Sequence, residues 1–105
     1  MATKKQKHAL TGKTVLVRDN RAGVFVGTLV VFDGASKCAT LKDARKVWFW
    51  VGAAAVEGIA ARGLRHEGSK VCPVVAHVEC CDVVQVVLCE KAGVASVMGA
   101  PEWKP

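Results

Sequence analysis

The residues of this chain best suited to chemistry are cations and aromatics gathered at two places. Arg18 and Arg21 bracket a turn that runs into Gly23 and Phe25, and Arg45 and Lys46 precede Trp48 and Trp50. Guanidinium groups match phosphate oxygens in a forked geometry, and aromatic rings stack on nucleobases. Such a set suits an anionic, nucleotide-like ligand. A plainer reading is equally physical: the tryptophans fill a core, and Arg18 is a surface charge at a strand end. Trp48 and Trp50 lie two apart, so on a strand they share a face and are buried or exposed together. A shared exposed face would make a stacking platform or a subunit interface.

Catalytic patterns are lacking by comparison. The carboxylates are scattered and show no pairing, and His8, His66 and His77 have no serine or cysteine motif beside them. Neither a Gly-x-Gly-x-x-Gly fingerprint nor a Walker loop occurs. The five cysteines are Cys38, Cys72, Cys80, Cys81 and Cys89. An odd count with no secretion signal argues for reduced thiols in the core rather than a disulfide framework. No C-x-x-C pair exists, and the adjacent Cys80 and Cys81 point to opposite faces of a strand, so zinc ligation has no standard spacing. The expectation is a non-catalytic protein with no cofactor and no metal.

Bulk composition frames this reading. A chain of 105 residues holds one domain and one core. Hydrophobic residues at 51% exclude disorder, and 23% charged residues match an ordinary globular protein. The longest apolar run, Val47 to Val56, is interrupted by Gly52 and is too short to cross a membrane. The polar N-terminus lacks the apolar core of a signal peptide, which predicts a cytoplasmic location. A net charge of +6 attracts phosphates, although Lys4, Lys5 and Lys7 contribute part of it from the leader.

The elements that must position these residues follow from pattern. Residues 1–11 read as a flexible basic arm and 12–105 as a single ligand-binding domain. Strands are expected over Thr14–Arg18 and Val24–Phe32, separated by turn chemistry at Asp19–Gly23. Alternation puts Val24, Val26, Val30 and Phe32 on one face of the second strand, with Phe25, Leu29 and Val31 on the other. Gly27, in mid-strand, marks a bend or the close approach of another group. Asp33-Gly34 signals a hairpin. A short third strand over Lys37–Leu41, a turn at Lys42–Arg45 and a fourth strand over Lys46–Val51 come next. From Ala53 the apolar period becomes helical and stops at Gly63. Ser69–Val78 and Asp82–Cys89 read as two more strands, and Glu90–Met98 as a last helical turn or two, weakened by Gly93. The fold class expected is α+β and β-rich: a small, strongly bent antiparallel sheet or partly open barrel of about six strands, with one or two short helices.

Two family resemblances are present. Val15–Arg18, Val24–Asp33 with its mid-strand Gly27, and Thr40–Ala44 resemble the first motif of Sm-like barrels, while Val83–Cys89 lacks the glycine of their second motif. That resemblance implies an RNA-binding module. A second resemblance runs from about Thr14 to Lys104. Arg18 with Ala22–Phe25 and Gly27, Ala44–Trp50 with Gly52–Ala54, and Pro101-x-Trp103-Lys104 resemble the phage Thoeris anti-defence family. It implies a non-catalytic sponge that captures cyclic ADP-ribose isomers, and also cyclic di- or trinucleotides, in the cytoplasm of the infected bacterial host. It further implies a homo-oligomer, from dimer to hexamer, with ligand-binding residues Arg18, Arg21, Gly23, Phe25, Arg45, Lys46, Trp48 and Trp50. A third reading is a structural phage subunit whose aromatics serve only as interface.

Overall fold

Turn chemistry closes the first hairpin where the sequence places it. In the computed structural model, which describes residues 8–105, strand β1 (Thr14–Asp19) pairs antiparallel with β2 (Gly23–Asp33) in the register Arg18↔Val24 and Asp19↔Gly23. The Asp19 carboxylate accepts the Arg21 and Ala22 amides at 2.9 and 2.7 Å, which fixes the turn. The remaining elements are β3 (Cys38–Phe49), α1 (Ala55–Arg62), β4 (Lys70–Val71), β5 (Val75–Cys80), β6 (Val83–Leu88) and α2 (Lys91–Met98). They form a six-stranded antiparallel sheet in the order β4-β3-β2-β1-β6, with β5 also on the outer edge of β3. This is the small, β-rich α+β architecture expected.

Strong bending brings the two sheet edges together at one corner. The link Cys81–Asp82 joins β5 directly to β6, and there the Asp82 amide donates to Asp19 at 2.9 Å while Val83 donates to the Lys37 carbonyl at 3.0 Å. Among the described residues no ladder joins β5 to β6, so the sheet stays open. Each face of the sheet has its own core. Inside the bend lie Val15, Val17, Leu29, Leu41, Ala44, Cys80 and Val83. On the other face, Leu16, Val26, Val47 and Val71 pack against Val56 and Ile59 of α1 and Val97 of α2.

Two bulges explain where the strands depart from simple alternation. The predicted turn at Lys42–Arg45 is absent, because β3 runs through it as one long strand. Its register against β2 gains a residue between Lys42 and Arg45, and Asp43 takes a φ of 50°. The bulge is possible because Gly27 lies opposite: a Cβ there would stand 2.7 Å from the Ala44 Cβ. A second shift, between Leu29 and Val31, turns Phe32 onto the face of Leu29 and leaves Val30 and Val31 exposed. The strand expected over Ser69–Val78 is broken around Pro73 into β4 and β5, which pair with opposite ends of β3.

Of the predicted N-terminal arm, residues 1–7 lie outside the described residues. Residues 8–11 form a turn in which Thr11 donates to the His8 carbonyl at 3.0 Å, Leu10 packs on the inner core, and His8 meets the Phe32 ring edge-on at 5.3 Å. Among the described residues no helix is long and apolar enough to cross a membrane.

Candidate ligand-binding surface

Strand β3 carries the motif Arg45-Lys46-Val47-Trp48, and alternation divides it between the two faces. Arg45 and Val47 turn towards the helices. The Arg45 side chain is only 3% exposed, and its guanidinium donates to the carbonyls of Cys72 (2.7 Å), Val97 (3.0 Å), Met98 (3.4 Å) and Ala100 (2.6 Å). It therefore caps the C-terminus of α2, where a cation also suits the helix dipole. Burial pulls its pKa below the ordinary arginine value, and the neighbouring charge of Glu102 opposes that. An arginine held this way is a structural tie and does not reach a ligand on the surface.

Lys46 and Trp48 point the other way. The Lys46 ammonium lies 5.9 Å from the centre of the Phe25 ring, and its chain passes over Gly23, whose φ of 100° closes the β1–β2 turn. Trp48 is 53% exposed and stacks on Trp103 at 5.1 Å with planes only 12° apart. The C-terminal segment reaches it through the Trp103 amide, which donates to the Val71 carbonyl at 2.9 Å. Above the pair sits Lys70, its ammonium 4.7 Å from the Trp48 ring, 5.1 Å from Trp103 and 5.9 Å from Phe49. Among the described residues neither lysine is ion-paired with a carboxylate.

The other predicted site residues are placed elsewhere. Arg18 and Trp50 border a separate cavity of about 240 Å³ with Val24, Val56 and Glu57. Glu57 is held below its usual carboxyl range by a 2.8 Å hydrogen bond from Gln85, with the Arg18 charge adding to it. Trp50 lies past the end of β3, so alternation does not govern it, and it packs partly buried on the helix-side core. The expectation that Trp48 and Trp50 share one environment is thus corrected. Arg21 is exposed and pairs with Asp82 at 3.5 Å. The cavity beside it, about 420 Å³, is lined by Asp19, Glu79 and Asp82 and is too acidic for an anion.

The structure therefore gathers Gly23, Phe25 and Lys46 in one group, places Trp48 two positions further along the same face of β3, and sets Arg18, Arg21, Arg45 and Trp50 elsewhere. It adds Lys70 and Trp103. Trp103 carried a signal, as part of the Pro101-x-Trp103-Lys104 motif, whereas Lys70 carried none. The cysteines are not uniformly core: Cys80 is buried, Cys38, Cys72 and Cys89 are half-buried, and Cys81 is exposed. Among the described residues no three His, Cys, Asp or Glu side chains are grouped to hold a metal.

Fold and surface together define a small α+β protein on a bent antiparallel sheet, with a cation–aromatic strip at one end. The chain belongs to the family described as a domain of unknown function, DUF6948, whose model matches residues 12–97. No curated protein and no solved structure matches it.

Proposed function

We propose that this protein is a non-catalytic binder of a nucleotide-class anion, acting as a sponge for cyclic ADP-ribose-type or cyclic oligonucleotide signals in phage anti-defence. The observation that carries the reading is the strip of Lys46, Trp48, Lys70 and Trp103. It sets the Lys70 ammonium beside an exposed indole and the Lys46 ammonium beside Phe25, two positions before Trp48 on the same strand, neither ion-paired with a carboxylate among the described residues. In this reading a phosphate or pyrophosphate meets the lysines, and a base packs on the exposed part of the Trp48–Trp103 pair. Tight capture of a small ligand needs most of its surface enclosed. The strip is open on one chain, so in this reading a second copy closes it, as a dimer or a larger ring.

The same openness favours a second reading, an Sm-like RNA-binding module, because a solvent-facing strip suits an extended single strand. Calorimetric titration against cyclic ADP-ribose isomers, cyclic di- and trinucleotides and short RNAs separates the two. The sponge reading expects stoichiometric binding of one cyclic species, recovered intact after the protein is denatured. Cleaved product would overturn it, and binding of RNA alone, steeply weakened by salt, would replace it with the second reading.

A further inference from the structure

Cys38 and Cys81 are neighbours at the edge of the sheet. The last pair of the β3–β5 ladder is Ala39↔Cys80, and both residues are buried on the inner core. One step further out stand Cys38, the first residue of β3, and Cys81, the first residue past β5. Cys38 is half-buried and Cys81 is exposed. The Cys38 thiol donates to the Ser36 carbonyl at 3.7 Å, and its closeness to Cys81 is the largest cause that pushes the Cys81 thiol up to about 11. Cys38 and Cys81 directly follow the last pair of this ladder, whose opposed residues stand about 4.5–5.5 Å apart at Cα, inside the roughly 4.4–6.8 Å window of a disulfide. Cys80 is excluded as a partner for Cys81, because neighbouring side chains on an extended chain diverge and Cys80 is in the core.

We propose that Cys38 and Cys81 form a redox dithiol that a small-molecule disulfide converts to an intramolecular cross-strand bond. One cysteine, as its thiolate, attacks the oxidant and releases one reduced thiol, leaving a mixed disulfide on the protein. The second cysteine then loses its proton to solvent, attacks the protein sulfur of that mixed disulfide and displaces the second reduced thiol. Two protein thiols give up two electrons and two protons, and the oxidant disulfide becomes two thiols. Cys81 borders the open cavity beside Arg21 and Asp82, which gives a reagent access. Since a thiol near 11 is mostly protonated at neutral pH, the bond forms slowly there and faster as pH rises.

The bond ties the start of β3 to the corner where β5 turns into β6. At that corner the Asp82 amide and carboxylate hold Asp19 and Arg21. Oxidation therefore stiffens the β1–β2 turn as well as the sheet edge.

The test is reduced full-length protein incubated with oxidised glutathione across a pH series. The expected result is a loss of about two mass units, reversed by dithiothreitol. Reactive thiols counted in denaturant fall from five to three, and peptide mapping joins Cys38 to Cys81. The oxidised form melts on the order of 10 °C higher. Cys38→Ser and Cys81→Ser each abolish the mass loss while melting, when reduced, like the parent. Stable glutathione adducts without the two-unit loss, a Cys80–Cys81 linkage, or retention of the loss in either serine variant would overturn the proposal.

Discussion

Arg45 and Lys46 are adjacent cations on one strand, and the fold uses them in opposite ways. Arg45 is buried and binds four backbone carbonyls, three of them at or just beyond the end of α2. Lys46 lies on the other face, beside an aromatic ring and without a carboxylate partner among the described residues. The difference comes from the strand's alternation and from what packs on each face: helices on one side, the inside of the bend and open solvent on the other. A sequence motif of paired cations is therefore not one functional unit. Its first member holds the protein together, and its second is the one the proposed function assigns to the ligand.

The largest effect that sharpens this contrast is expected from Arg45→Met. The substitution keeps bulk and removes the donors of Cys72, Val97, Met98 and Ala100. Loss of charge-assisted bonds to buried acceptors costs on the order of 3 kcal/mol, a fall in melting temperature of roughly 15 °C for a domain of this size. Thermal unfolding followed by circular dichroism checks it, and ligand affinity of the protein that remains folded should be unchanged. A variant that melts like the parent but loses ligand would invert the assignment of the two cations.

How much of this was legible beforehand depends on the range of the interactions involved. The β1–β2 hairpin, β6 and both helices follow from local signals: turn chemistry at Asp19–Gly23, an apolar run, and a change of period at Ala53. Gly27 also announced a close approach, and Ala44 supplies it. The bulges at Asp43 and Val30 were not legible, since Lys42–Arg45 has the composition of a turn and only pairing with β2 makes it a bulge. Arg45 was beyond reach for the same reason. Its partners on α2 lie more than fifty positions along the chain, and nothing in the local pattern distinguishes a guanidinium awaiting phosphate from one awaiting a helix end. The strip itself was half legible: Lys46 and Trp48 came from one motif, whereas Lys70 joins through the β3–β4 pairing of Phe49 with Lys70.

A smaller effect, on binding rather than stability, is expected from the exposed side. Trp48→Ala removes one stacking face and should weaken the nucleotide-class ligand by about 1–2 kcal/mol, roughly tenfold or somewhat more. Its loss from the Trp103 stack should cost no more than about 1 kcal/mol of stability. Lys46→Ala should weaken binding by roughly fivefold and lessen its dependence on salt, with little change in melting temperature. Titrations at two salt concentrations read both quantities. If both variants bind like the parent, the strip is not the site, whatever the ligand.

The smallest effect concerns the acidic counterpart of Arg45. Asp19 is also an interior charge that organises backbone, and it titrates in an accessible range where Arg45 does not. Burial alone would raise its pKa, but the amides of Ala22, Arg21 and Asp82, together with the Arg21 charge, outweigh it and hold the group below its ordinary value of 3.8. Because the folded value is the lower one, the unfolded chain binds more protons between the two. The stabilisation is complete above the unfolded value and is lost as pH falls through the folded one. Urea unfolding from pH 6 to pH 2 should therefore show stability declining below about pH 4. Asp19→Asn should flatten that decline and lower stability at neutral pH, since its amide nitrogen cannot accept the Asp82 amide. An unchanged slope in the variant would show that other carboxylates govern the acid response, and that the turn carrying Arg21 and Gly23 is held by its backbone geometry and not by this interior charge.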